Sequence, residues 1–279
     1  MPVVLDGNDF VLEGGNASYG RDLPERWCFD GRAFGGYTAS LALAALLRHT
    51  ERRVAASLSI TFLEAGAVGP VELDVEMLRE SRTAACARAT IHQAGRPILF
   101  ATSWLADGWD DRPKVEAPNP FGRYGGEIGP LPRPEDAAPV PWLAAEWPTL
   151  GFAERRALDY PTSWDEFVRG RPEVALWVRI DAGDAPSAAL PHPQLGDVLH
   201  ADAHLFDAPG QVTGFTDVWL VSLDLTIAWQ PGAHEWPATS WRLWEARGSV
   251  APGGVTSFGS LRAEDGSLLA VATSQGLPR

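Results

Sequence analysis

The chain has 279 residues, 45% hydrophobic and 21% charged, a globular balance that excludes a disordered or fibrous protein and suits two domains or one large one. Its 23 basic and 36 acidic residues leave a net charge of −13, which repels a phosphate backbone, so no nucleic acid partner is expected. No apolar run is long enough to cross a bilayer, so no membrane span is expected, and residues 1–10 show no secretory signal, so the expected location is cytoplasmic. With only Cys28 and Cys86 there is no disulfide framework and no cysteine-rich metal site. Lys114 is the single lysine and lies in a proline-rich stretch, which disfavours Schiff-base and P-loop chemistry.

Residues 34–49 are apolar almost all round, predicting a core helix entered through Gly35 and Gly36 and closed with Arg48 near its C-terminal end. Residues 56–62 alternate with a period of two, as Ala56, Leu58, Ile60 and Phe62 against Ser57, Ser59 and Thr61, and predict a half-buried strand. After the Gly69-Pro70 break, Val71, Leu73, Val75 and Met77 alternate with Glu72, Asp74 and Glu76, a strand with an acidic outer face. Residues 83–93 and 98–105 flank Ala94-Gly95-Arg96-Pro97, expected to be a hairpin turn. One helix against a curved antiparallel sheet is the simplest α+β arrangement for residues 1–107. Residues 108–148 carry nine prolines and read as a linker that neither helix nor central strand can cross. Trp109, Trp142 and Trp147 predict that this linker packs against its neighbours.

Residues 149–279 repeat the pattern, with a helix expected over 195–206 and strands over 219–229, 241–247 and 255–263. The segment 95–104 aligns without a gap on 266–275, each a turn and then a strand ending in Thr-Ser and one distinctive residue, Trp104 or Gln275. The copies differ where chemistry could sit. No acid lies between Gly36 and Arg48, whereas the second helix carries Asp202, and a hydroxyl of the 219–229 strand, at Ser222, can face that helix. A carboxylate, a hydroxyl and the Gln275 amide can together hold one water. The competing reading is a solvated Asp202, a space-filling Ser222 and a Gln275 that caps a sheet edge. His200 and His204 have the i, i+4 spacing of a metal pair, but Ala201 stands where a zinc protease has glutamate and no third ligand is evident, so no metal is expected. Neither a G-x-S-x-G elbow nor a G-x-G-x-x-G loop occurs.

Residues 31–37 (GRAFGGY), 61–64 (TFLE), 76–82 (EMLRESR) and 93–97 (QAGRP), followed by 201–203 (ADA), 222–226 (SLDLT), 265–266 (DG) and Gln275, form an ordered set of motifs over both halves. In these motifs and their order the chain resembles the double-hotdog acyl-CoA thioesterases of the bacterial thioesterase II type. The resemblance implies a tandem hotdog: an N-terminal unit at 1–107, a linker at 108–148 and a catalytic C-terminal unit at 149–279. It also implies hydrolysis of an acyl-CoA by a water held by Asp202, Ser222 and Gln275, although many relatives have threonine where Ser222 stands. No cofactor is implied, and assembly into homo-oligomers is common in the family. The Gly36 backbone N–H is a candidate oxyanion donor, and Arg79, Arg82 and Arg96 are candidates for the CoA phosphates. The alternative is a catalytically silent acyl-CoA or acyl-lipid binding protein; a hotdog hydratase lacks its Asp/His signature here.

Overall fold

A computed structural model describes residues 6–108, 123–124, 130–163, 165, 167–181, 190–215 and 220–278. The N-terminal half runs β1 (Glu13–Gly15), β2 (Ser18–Leu23), β3 (Cys28–Phe29), β4 (Arg32–Ala33), α1 (Gly35–Thr50), β5 (Val54–Phe62), β6 (Gly69–Glu80), β7 (Ala84–Gln93) and β8 (Arg96–Ala106). There follow β9 (Ala138–Pro139), α2 (Trp142–Glu146), β10 (Ala153–Asp159), β11 (Glu173–Ile180), α3 (Pro193–His204) and α4 (Asp207–Thr213). The chain closes with β12 (Leu220–Ser222), β13 (Asp224–Trp229), β14 (Arg242–Ala251), β15 (Gly254–Ala263) and β16 (Leu268–Pro278).

All strands but β3 and β4 join one 14-stranded sheet in the order β1-β2-β6-β7-β8-β5-β13-β16-β15-β14-β11-β10-β9, with β12 beside β16. The helix expected over 34–49 forms as α1, and its all-round apolarity follows from its setting between β5–β8 on one side and α3 on the other. Leu41, Leu43 and Leu46 are fully buried there, each stabilising the fold by about 1.5–3 kcal/mol relative to an exposed leucine. Arg48 serves more than the helix end: its guanidinium donates to the carbonyls of Leu12 and Gly14 and lies over the Tyr19 ring. In β6, Val71, Leu73 and Val75 are buried while Glu72, Asp74 and Glu76 are exposed, as the alternation predicts.

Some expectations are corrected. Arg96 and Pro97 are not in the hairpin turn; they open β8, paired with Gln93 and His92. Ala94 and Gly95, with φ of 50° and 74°, make the two-residue loop alone, a geometry whose twist matches the strands it joins. The strand expected over 219–229 is broken at Leu223, and residue 219 lies outside the described residues. The 108–148 stretch does carry elements, the short α2 and the two-residue β9 that pairs with β10 at the sheet edge. Its Trp142 is buried, donates from Nε1 to the Pro161 carbonyl at 2.8 Å and lies 6.0 Å from Trp147, while Trp109 falls outside the described residues. Seven further elements were not foreseen as such: β1, β2, β3, β4, β10, β11 and α4.

The two halves meet at a seam where β5 pairs antiparallel with β13, with Ser57 opposite Ala228, Ser59 opposite Thr226 and Thr61 opposite Asp224. Within each half, the aligned segment makes a matching bond to its own seam strand. Ser103 Oγ donates to the Ser57 carbonyl at 2.6 Å, and Ser274 Oγ donates to the Asp224 carbonyl at 2.5 Å. Ser57 and Asp224 each stand two residues from the Ser59–Thr226 pair, so a pseudo-twofold axis passes through that pair. One sheet and one hydrophobic core therefore run from one half into the other. Among the described residues no helix is long and apolar enough to cross a membrane.

Candidate active site

Three elements meet at one corner of the interior. From α3 comes Asp202, whose Oδ1 accepts a hydrogen bond from Ser222 Oγ at 3.2 Å. Ser222 reaches it because the ladder slips by one residue at Leu223: Ser222 pairs with Gly276, but Thr226 pairs with Thr273. Two consecutive residues, Leu223 and Asp224, are thereby left to the outer face, and Ser222 turns in toward α3. The third element is the N-terminal turn of α1. A Cβ on Gly35 would stand 2.8 Å from Asp202 Oδ2, and one on Gly36 would stand 3.1 Å from Asp202 Cβ. Glycine is required here because the helix end approaches the carboxylate without room for side chains.

This setting governs the charge of Asp202. Burial raises its pKa from the usual 3.8 to about 6, while the Gly36 backbone N–H and the Ser222 hydroxyl, both directed at the carboxylate, hold the rise back. The α1 N-terminus adds the positive end of a helix dipole on the same side. A partly exposed carboxylate tuned near neutrality, with a hydroxyl partner, can orient a water and take its proton.

Aromatic rings frame the corner. Phe34 lies 2.7 Å from where a Gly36 Cβ would be, Phe62 lies 3.3 Å from where a Gly35 Cβ would be, and Phe206 lies 2.6 Å from where a Gly276 Cβ would be, next to Ser222 in register. Phe34 and Phe62 belong to segments whose motifs the sequence displays, but their convergence with Phe206 on Asp202 depends on the β5–β13 seam and was not visible. The residue pairing of glycine with phenylalanine was the available signal.

Asp202, Ser222 and Gly36 thus come together, and Gln275 does not join them. On β16 its neighbours Ser274 and Gly276 are buried and Gln275 is exposed, so its side chain leaves the strand on the face away from α3. Its backbone N–H donates to Asp224 Oδ1 at 2.7 Å. Of the arginines, Arg79 and Arg82 are exposed at the β6–β7 turn, where the Arg52 guanidinium donates to the Arg82 carbonyl, next to the beginning of β5. Arg96 is exposed at the other end, with its guanidinium 3.7 Å from Glu64, two residues beyond Phe62.

His200 and His204 do not form a metal pair. His204 accepts at Nε2 from Arg155 Nε (3.0 Å), which leaves its Nδ1 to donate to Asp207 Oδ2 (2.8 Å), and Tyr160 donates to the same oxygen at 2.9 Å. The guanidinium beside the histidines opposes a second cation, and among the described residues no cluster of ligating side chains suits a metal ion. Burial lowers the pKa of both histidines well below the usual 6.5.

Residues 23–106 match the acyl-CoA thioesterase N-terminal domain family. No curated protein matches the sequence. Among solved structures, a candidate thioesterase II of Thermobifida fusca YX is similar at 19% identity and TM-score 0.79, over 100% of both chains. A conserved protein with hot dog fold from Alicyclobacillus acidocaldarius is similar at 18% identity and TM-score 0.78, over 97% of this chain and 96% of that one. An acyl-CoA thioesterase II of Mycobacterium marinum is similar at 21% identity and TM-score 0.71, over 97% of this chain and 96% of that one. These likenesses show a hot dog fold built on a large antiparallel sheet with few helices.

Proposed function

We propose that this protein is a thioester hydrolase that cleaves an acyl-CoA to free acid and CoA by direct attack of water, a reading supported by the match of residues 23–106 to the acyl-CoA thioesterase N-terminal domain family and by the hot dog fold. The observation that carries the reading is the Asp202 carboxylate, held at the α1 N-terminus, bonded to Ser222 and raised to about pKa 6.

In this mechanism Asp202 and Ser222 position a water near the thioester carbonyl, and Asp202 takes its proton as the oxygen attacks the carbon. The tetrahedral intermediate then collapses, the C–S bond breaks, and the CoA thiolate leaves and receives the proton. Gly36 serves both states. Its amide steadies the carboxylate before attack; once Asp202 is protonated it is a weaker acceptor, and the amide is free to meet the developing oxyanion. Gln275, turned to the outer face, takes no part in this scheme, so the trio read from sequence reduces to a pair. CoA phosphates fit best near Arg96, which lies at the Phe62 end of β5, rather than near Arg79 or Arg82 at the opposite end.

The matching Ser103 and Ser274 bonds support a tandem of two hotdog units, 1–107 and 149–279, joined by 108–148 and sharing a single sheet. The test is release of free CoA thiol from a panel of acyl-CoAs, with Asp202→Asn as the control. Turnover that disappears in the variant supports the assignment. Saturable acyl-CoA binding with no thiol released from any member of the panel marks a binding protein instead.

A further inference from the structure

From the packing around Asp202 we infer that the site selects compact acyl groups, short or aromatic, and that Phe34 sets the limit; this rests on the thioesterase reading above. Phe34 has one edge at the reactive corner, against Gly36, and the rest of its ring in an aromatic block. It stacks on Trp27 with ring centroids 6.4 Å apart and planes 11° apart, and on Phe152 at 6.0 Å. Trp27 in turn lies 4.7 Å from Tyr37, nearly parallel at 3°, and 5.7 Å from Phe152. Trp27, Tyr37 and Phe152 are all fully buried.

This block is held in place rather than merely filled in. Trp27 Nε1 donates to Asp9 Oδ2 at 2.8 Å, and Tyr37 Oη donates to the Asp9 carbonyl at 2.9 Å. The other way inward, between the helices, is closed by close contact: Ser40 Oγ on α1 donates to the Leu195 carbonyl of α3 at 3.2 Å. An acyl group whose carbonyl sits by Asp202 and Ser222 therefore lies against the half-buried rings of Phe34, Phe62 and Phe206. Beyond Phe34 a chain meets stacked, hydrogen-bonded rings packed at interior density, and threading it requires their displacement. A short alkyl or an aryl group is accommodated on the ring faces without that rearrangement.

The experiment is kcat/KM across straight-chain acyl-CoAs from acetyl to palmitoyl, with phenylacetyl-CoA alongside, for the native chain and for Phe34→Ala. The native enzyme is expected to peak among the short or aryl members and to fall by at least about tenfold toward palmitoyl-CoA. Phe34→Ala is expected to move the optimum to longer chains; Phe34→Leu, which keeps the wall apolar, covers the case in which the alanine variant does not fold and is expected to give a smaller move in the same direction. Native activity on palmitoyl-CoA equal to or above that on butyryl-CoA overturns the inference and leaves the thioesterase reading intact. A folded Phe34 variant with an unchanged chain-length profile removes Phe34 from its role. No thiol release from any thioester sinks both readings.

Discussion

The pseudo-twofold axis through Ser59 and Thr226 gives the molecule two versions of the same corner, a helix N-terminus facing the opposite helix and the start of a seam strand. At the α1 corner, Gly35 and Gly36 leave space, Asp202 comes from α3 and Ser222 from the strand region that leads into β13. At the α3 corner the space is filled by Gln194, whose Oε1 accepts from the Ala55 N–H at 2.8 Å and whose Nε2 donates to the Ala55 carbonyl at 2.7 Å. At the α1 positions that correspond to Asp202 of α3 stand Ala42, Leu43 and Ala44, with no polar side chain among them. One corner is open and carries an imperfectly solvated carboxylate; the other is closed and fully satisfied. On the proposed reading, a symmetric framework separates tasks, with one copy given to chemistry and its counterpart to holding the halves together.

Removing the carboxylate breaks this contrast most severely. Asp202→Asn is expected to lower thiol release by about 100- to 10,000-fold. The same change is expected to stabilise the fold. Because the folded-state pKa of Asp202 is raised, from 3.8 to about 6, the folded state holds that proton more tightly than the unfolded chain does, and stability contributed by it is lost as pH rises between those values. At pH 7 the neutral asparagine relieves that cost, worth about 1–2 kcal/mol after allowance for its partial exposure, and a higher Tm in the variant checks it. An unchanged turnover would remove Asp202 from the chemistry.

Next in size is the pH response. Native kcat/KM is expected to rise with pH through about 6 as Asp202 ionises. Ser222→Ala removes a hydrogen bond that favours the ionised form, so its midpoint should move upward, with turnover reduced by about tenfold or more. A midpoint that stays in place or moves down contradicts the role of the hydroxyl. Gly35→Ala, which drives a methyl group against Asp202 Oδ2, should also reduce activity, with little change in Tm; equal activity would show that the carboxylate has room to move.

The smallest effect on activity is expected at the closed corner. Gln194→Leu leaves the Ala55 N–H and carbonyl without partners and should cost about 2–3 kcal/mol by denaturant unfolding, while kcat per folded molecule stays near native. A loss of kcat comparable with that of Ser222→Ala would mean that the two corners are coupled after all.

Much of this organisation was legible in the residues. α1 was visible from its apolar surface, β5 and β6 from strict alternation, and the asymmetry of the two corners from an acid at 202 with no counterpart between Gly36 and Arg48. What escaped has identifiable causes. In β11, residues 174–178 are buried on both faces, so alternation is lost and the run has no strand signature of its own. In β10, Glu154, Arg155 and Arg156 read as surface, yet Arg155 is buried and bonded to His204 and to the carbonyls of Leu150 and Ala153. Gln275 shows the sharpest limit. Its place near the end of a strand could be read, but the face it occupies depends on register, and a one-residue difference decides between the interior and solvent.

The position of the β5–β13 seam has a consequence during synthesis. In the finished sheet the outer edges are slight, the three-residue β1 and the two-residue β9 ending in Pro139, forms that discourage pairing with other chains. The nine-residue β5 is different: it is the edge of the N-terminal half and stays uncovered until residues 224–229 leave the ribosome. At ordinary translation speeds that interval is roughly ten to thirty seconds. Throughout it the nascent chain presents a long strand with one unpaired edge, so the period of greatest risk for misassociation precedes the completion of the Asp202 corner, and the arrival of β13 ends both conditions at once.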